Sequence, residues 1–256
     1  MTWALDLDGV VWLAGEPLPG ACQAVKELRA AGERVVFLTN NSGPLVAEHL
    51  GKLAAAGIDA GPEDLVTSAQ AAASLLGPRP RVAVVGDRGV YEALAEAEAE
   101  VVPPGSGPGA VVVGRKLELD YQELSAAADD LRGGARFVAT NTDATFPAGE
   151  GVLLPGAGAL VAFLATASGR EPEVAGKPHE AMAALVRSRY GEVTVMVGDR
   201  PDTDGLFAKR VGACFGLVLS GVTARQDLPV EPTPDLVADD LLALVRTWPL
   251  ARGLRS

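Results

Sequence analysis

Short apolar runs that alternate with helical segments constrain this chain more than any other feature. Trp3–Leu7, Arg34–Leu38, Val82–Val85, Ala110–Val113, Phe137–Thr140, Val193–Val197 and Phe215–Leu219 are all of strand length. Each is too uniformly apolar to leave one face in water, so each reads as a strand covered on both faces, as in a parallel sheet. Helical segments lie between them. Ala21–Ala31 carries Ala21, Val25 and Leu28 on one face and is stopped by Gly32; Pro44 opens a segment with Leu50 and Leu53 inward. A helix of small residues follows Thr67-Ser68, and Tyr91–Ala97, Asp120–Leu131 with an Asp-x-x-Glu capping box, and a stretch ending at Ser168 continue the pattern. His179–Tyr190, a helix ending at Val211, and Asp239–Trp248 before a frayed Arg-rich tail complete it. Strand, helix, strand at this spacing demands right-handed crossovers and a parallel sheet.

The alternation breaks at Gly77-Pro78-Arg79-Pro80, a stiff connection suited to a domain boundary, and again at Gly169-Arg170-Glu171-Pro172. One α/β domain, 1–78 with 172–256, is therefore expected to be split by a smaller α/β domain at 79–171.

Composition narrows the function classes. A net charge of −11 argues against nucleic acid, whose phosphates reward clustered Lys and Arg. No apolar run approaches the roughly 20 residues of a membrane helix, and Asp6 arrives too early for a secretory apolar segment. Cys22 and Cys214 sit far apart in apolar company and read as buried thiols. The expectation is a cytoplasmic protein with neither membrane nor nucleic-acid partner. His49 and His179, on helices among polar neighbours, are expected at the surface.

Polar groups gather where strands end. Asp6 and Asp8 close the first run, and residues two apart in a strand share a face. Two carboxylates held together repel unless a cation lies between them or one takes a proton; the alternative is a polar strand end capping a turn. Thr39, Asn40, Asn41 and Ser42 follow the second run, and Asp199, Asp202 and Asp204 follow a later one. Each group could be a helix N-cap, and for Thr39–Ser42 and Asp202 taken alone that is the favoured reading. Together they supply acidic oxygens able to hold Mg²⁺ and donors able to hold a phosphate, at the strand ends where open α/β sheets bind ligands. Gly176-Lys177-Pro178 adds a cation, although a lone turn lysine is ordinarily solvated.

DLDGVV, LTNNSG, GKP and VGDRPDTD, in this order, resemble the four motifs of the haloacid dehalogenase superfamily of phosphohydrolases. The likeness is closer to the branch resembling NagD, phosphoglycolate phosphatase and pyridoxal phosphate phosphatase, which carries its cap between the second and third motifs. The resemblance implies a Rossmann-like parallel-sheet core with an inserted α/β cap, and a Mg²⁺-dependent phosphomonoesterase acting through an aspartyl-phosphate. It implies Asp6 as nucleophile and Asp8 as acid and then base. Asp6 and Asp199 would bind the metal through side chains and Asp8 through its carbonyl, with Asp204 behind them orienting water and Lys177. Thr39, the amide of Asn40 and Lys177 would bind phosphate oxygens. By the resemblance the loop Asn141–Phe146 faces the site, and Asn41, Ser42, Arg115 and Phe146 are the candidate specificity residues; Phe146 reads equally as a core residue of the cap, and Arg115 more readily as a solvated strand end. The oligomeric state is not readable from the sequence; a homodimer is compatible with the resemblance, because caps of this type often sit at dimer contacts in related proteins.

The expected substrate is a small phosphorylated metabolite, with sugar, glycerol or glycolate phosphate favoured over pyridoxal phosphate or a nucleotide because the loop holds few aromatic groups. A phosphomutase is the nearest rival. A receiver domain places its phosphoacceptor well after the acidic pair, and a silent metabolite-binding module would not need both Asp6 and Asp8. Gly86-Asp87-Arg88 repeats Gly198-Asp199-Arg200 but lacks the acidic continuation, so Asp87 is expected to be a turn residue. Gly105–Gly109 lacks the Lys-Ser/Thr ending of a P-loop and reads as a flexible surface connection.

Overall fold

The computed structural model describes residues 1–148 and 152–252. The chain forms two compact units, one from Met1–Thr39, His49–Val66 and Val186–Ser256, the other from Asn40–Glu48 and Thr67–Leu185.

The first unit is built on a sheet whose strand order is Leu236–Ala238, Cys214–Val218, Val195–Gly198, Thr2–Asp6, Arg34–Thr39, Leu65–Thr67. Thr2–Asp6 pairs in parallel with Val195–Gly198 on one side and Arg34–Thr39 on the other, and all five of its residues are buried. This two-sided burial is what the uninterrupted apolar runs anticipate. From Thr2–Asp6 the chain steps outward one way to Arg34–Thr39 and Leu65–Thr67. It later returns on the other side to Val195–Gly198. Strand order therefore reverses beside Thr2–Asp6, and the carboxyl ends there form the crevice where such sheets bind ligands. Leu5 lies opposite Val197 and Asp6 opposite Leu38, which brings Asp6, Thr39 and Asp199 to one end of neighbouring strands. Helices Ala21–Ala30 and Leu241–Arg252 are joined by Arg246 and Glu27, 2.7 Å apart, and Trp248 meets Trp3 edge-on.

The second unit carries a parallel sheet ordered Glu173–Val174, Arg136–Ala139, Ala110–Val113, Arg81–Val85, Glu100–Val102. Val85, Val111, Val113, Phe137, Leu124, Leu131 and Leu164 form its core, the leucines coming from helices Tyr121–Arg132 and Ala157–Ser168. A separate antiparallel hairpin pairs Thr145–Pro147 with Leu153–Pro155.

Several local expectations need correction. Thr2–Asp6 ends at Asp6 itself, because the Leu7 carbonyl accepts the amides of Val10, Val11 and Trp12 at 3.4, 2.9 and 3.2 Å and curls the chain. Asp8 is thus outside the strand, and the shared-face argument does not reach it. His49 is buried, at 1% exposure, rather than superficial, and His179 is partly buried. Cys22 and Cys214 are free but only half-buried. The capping box at Asp120 does not close: Asp120 accepts the Gln122 amide at 2.8 Å, while the Glu123 carboxylate pairs with Lys116 at 2.9 Å. The Gly105–Gly109 loop is pinned, with Arg81 donating to the Ser106 and Gly107 carbonyls and Asp130 accepting the Gly105 amide. The closing helix continues through Arg252; the remainder of the tail lies outside the described residues. Among the described residues no helix is long and apolar enough to cross a membrane.

Candidate active site

In the first unit, Asp6, Asp199 and Asp204 converge. One carboxylate oxygen from each lies within 4.8 Å of the others, and all three residues are buried. Asp6 arrives as the last residue of a buried strand, and Asp199 follows the neighbouring strand directly. Asp204 comes from the π-helical turn Pro201–Gly205, where its Oδ2 accepts the Arg200 amide at 3.2 Å. Three carboxylates gathered out of water raise one another's energy unless a cation or protons neutralise them. An all-oxygen, anionic donor set suits a hard divalent cation such as Mg²⁺ or Ca²⁺.

Asp199 is held by a loop that the sequence reading passed over. The Val222 amide donates to its Oδ2 at 2.5 Å, and the Thr223 hydroxyl donates to its backbone oxygen at 2.6 Å. Ser220 reaches back to the Gly9 carbonyl at 2.7 Å. Gly9, at φ +82, is required twice over: its backbone is left-handed, and a Cβ there would strike the Asp199 carboxylate. The available signal was Ser220-Gly-Val-Thr223, a hydroxyl-bearing turn just past a buried strand, which resembles many ordinary loops.

Asp8 is not one of this trio. Its Oδ1 accepts the indole N–H of Trp12 at 3.0 Å, so the two aspartates of the first motif have different surroundings. Asp202, weighed as a helix cap, is exposed and faces Arg200 at 3.4 Å. Thr39 is buried at the end of its strand. The N-cap alternative for Thr39–Ser42 loses its basis, because the Leu45 and Val46 amides at the next helix are taken by Glu48 and Glu92, each at 2.8 Å.

In the second unit, Asn40 and Lys177 form one construction. The Lys177 amide donates to Asn40 Oδ1 at 2.8 Å, and Asn40 Nδ2 donates to the Lys177 carbonyl at 3.1 Å, as one peptide group pairs with another. Nδ2 also lies 3.3 Å from Asp143 Oδ1. The Asn40 carbonyl accepts Ser68 Oγ and Asn141 Nδ2, both at 2.6 Å. Gly176 permits this approach, since a Cβ there would meet Asn40 Oδ1 at 2.6 Å. Lys177 is 3% exposed, unlike the solvated turn lysine that its sequence context alone suggests.

Arg115, Phe146 and Ser42 also meet in the second unit. The Arg115 guanidinium lies 5.1 Å from the Phe146 ring centre, and its Nε is 3.4 Å from Asp87. Asp87 is therefore a turn residue with a partner. Ser42 is fully buried; its Oγ accepts the Arg115 amide at 3.2 Å and the Thr140 hydroxyl at 3.0 Å, which makes it a brace. Asn41 Oδ1 accepts the Gly43 amide at 3.3 Å in a local turn.

Comparison with known proteins identifies the family of the chain. Residues 3–100 match the family model of the haloacid dehalogenase-like hydrolases, and residues 174–244 match a second model of the same kind. A D-glycerol 3-phosphate phosphatase of Mycobacterium tuberculosis is 38% identical over 250 residues, 94% of this chain and 69% of that protein. A dihydroxyacetone phosphatase of Corynebacterium glutamicum is 32% identical, covering 97% of this chain and 92% of its own length. Among solved structures, a p-nitrophenyl phosphatase from Archaeoglobus fulgidus superposes with a TM-score of 0.89 at 30% identity, covering 96% and 98% of the two chains. A glycerol phosphate phosphatase from M. tuberculosis in complex with magnesium gives 0.88 at 37% identity, covering 96% and 77%. NagD from E. coli gives 0.84 at 29%, covering 94% and 96%.

Proposed function

Because the chain belongs to the haloacid dehalogenase-like hydrolases, in their NagD-like branch, and is a phosphatase of small phosphorylated metabolites, we propose that it works with Mg²⁺ through an aspartyl-phosphate on Asp6. The observation that carries this reading is the unequal pair: Asp6 sits in the buried carboxylate trio, while Asp8 is drawn onto Trp12. Asp6 and Asp199 would hold the cation through their carboxylates, with the Asp8 carbonyl as a further ligand and Asp204 beside them. A cation held there would neutralise the gathered carboxylates and the charge of the phosphate.

Asp6 attacks phosphorus in line as the P–O bond to the leaving group breaks, and Asp8 gives its proton to the departing alkoxide. Water then attacks the aspartyl-phosphate, its proton passes to Asp8, and Asp6 is released together with inorganic phosphate. The Thr39 hydroxyl, the Asn40 amide and the Lys177 ammonium receive the phosphate oxygens, and Asn40 holds the Lys177 backbone through its side chain. Residues 79–171 serve as the cap, with Arg115, Phe146 and Asn41 acting on the leaving group and Ser42 acting through Arg115. Glycerol phosphate and dihydroxyacetone phosphate lead the candidate substrates, by analogy with the two relatives.

A panel of phosphate esters assayed with Mg²⁺ and ranked by kcat/KM tests this. Three-carbon polyol and keto phosphates should rank above nucleotides and pyridoxal phosphate, with stoichiometric release of inorganic phosphate; intramolecular transfer without release would instead mark a phosphomutase. Asp6→Asn should lower turnover by about three orders of magnitude or more. Retained turnover in that variant would rule out the covalent route.

A further inference from the structure

Trp12 opens a two-residue hairpin in which Trp12 pairs with Pro17 and Leu13 with Glu16. Its backbone is fixed at both ends of the turn around Asp8, with its amide on the Leu7 carbonyl at 3.2 Å and its own carbonyl accepting Gly9 at 2.7 Å. The side chain is 2% exposed, and the Lys52 ammonium lies 5.9 Å from its ring centre, at the outer limit of a cation–π contact. A ring so confined has one orientation available, and its only polar atom is the indole N–H. That N–H points at Asp8 Oδ1, 3.0 Å away. Trp3, equally buried in the same unit, makes no hydrogen bond through its indole nitrogen among the described residues, so burial of a tryptophan here does not by itself require such a partner. A phenylalanine at position 12 would fill much of the same space without reaching the carboxylate.

We propose that Trp12 is the positioning residue for Asp8. Its N–H occupies Oδ1 and thereby fixes the plane of the carboxyl group, so the proton given to the leaving oxygen is carried on Oδ2. A carboxylic acid accepts a hydrogen bond better through its carbonyl oxygen than through its hydroxyl. The inference rests on the role of Asp8 set out above. In the first half-reaction the Asp6–phosphorus bond forms, the bond from phosphorus to the leaving oxygen breaks, and the Oδ2 proton moves to that oxygen. Trp12 itself gives up nothing.

The test compares Trp12→Phe with the parent, as full-length protein in saturating Mg²⁺, on two substrates. Glycerol phosphate has an alkoxide leaving group that needs the proton; p-nitrophenyl phosphate releases a phenolate that leaves without it. The comparison uses kcat/KM, which reports the phosphoryl-transfer half-reaction alone. Trp12→Phe should lower kcat/KM for glycerol phosphate about 10- to 100-fold and for p-nitrophenyl phosphate by less than about threefold, with inhibition by inorganic phosphate unchanged. Equal losses on the two substrates, or no loss, would overturn the assignment. Asp8→Asn, run in parallel, must show the same discrimination more strongly. If it shows none, Asp8 is not the acid and the positioning inference falls with it; if it discriminates while Trp12→Phe does not, only the inference about Trp12 fails.

A second measurement does not depend on how well Trp12→Phe folds. With ¹⁵N-labelled indoles, one of the three tryptophan N–H resonances should shift upfield in Asp8→Asn, as its acceptor loses charge. No movement of any indole resonance would refute the contact.

Discussion

At the scale of single residues, Asn40 is the clearest case of a side chain that acts by holding another. It grips both backbone groups of Lys177 across 137 positions of sequence, and its own carbonyl is held by Ser68 and Asn141. Removing the side chain leaves a buried N–H and a buried C=O without those bonds, at about 1–3 kcal/mol each when no substitute forms. Asn40→Ala should therefore cost about 2–4 kcal/mol in urea denaturation and raise KM for phosphate esters, although the Asn40 amide itself is retained. Asn40→Asp should be no better, because it replaces a donor with an oxygen facing the Lys177 carbonyl and the Asp143 carboxylate. A loss below about 1 kcal/mol in Asn40→Ala would mean that the clamp is dispensable. None of this was legible around Asn40 in the sequence, where Thr39-Asn-Asn-Ser42 taken alone reads more readily as a helix cap. What distinguishes the two is who satisfies the helix, and Glu48 and Glu92 do so.

At the scale of elements, the main strands and helices follow from local pattern, and the misses are short. The hairpin of Trp12–Leu13 with Glu16–Pro17 escaped notice because two-residue strands leave no periodicity to detect. Its connection, Ala14-Gly15, has φ of +53 and +91, the left-handed pair of a type I′ turn. Glycine suits the second position, but alanine at the first pays about 1–2 kcal/mol for its Cβ. Asparagine tolerates that conformation better, so Ala14→Asn should stabilise the protein by roughly 0.5–1 kcal/mol. Thermal denaturation monitored by circular dichroism checks this; a lower melting temperature would show that the hairpin is set by something other than its turn. Because the same hairpin begins with Trp12, a stiffer turn should leave the Asp8 contact intact.

At the scale of the whole molecule, a net charge of −11 does not favour the compact state, and three of its carboxylates are buried together. A divalent cation held by Asp6 and Asp199 only in the folded protein must stabilise it by mass action. Mg²⁺ at a hundred times its Kd should add about 2.7 kcal/mol, and a chelator should remove it. For a chain of this length that is a shift in Tm of roughly 5–10 °C. Asp199→Asn should abolish most of the Mg²⁺-dependent part. A Tm indifferent to both Mg²⁺ and chelator would argue against a metal at these residues.

The sequence by itself determined the alternation of buried strands and helices, and with it a parallel sheet whose strand ends carry Asp6, Thr39 and Asp199. Those conclusions rest on short-range periodicity and chain connectivity, which a linear pattern records directly. Only the tertiary structure decided that Asp8 accepts the Trp12 indole, that Asp204 joins Asp6 and Asp199, that Asn40 clasps Lys177, and that His49 is buried. Each of these depends on which distant group satisfies a hydrogen bond or fills a space. The Leu7 carbonyl illustrates the reason: by accepting three amides it turns the chain just past Asp6, and a face shared in an ideal strand is no longer shared.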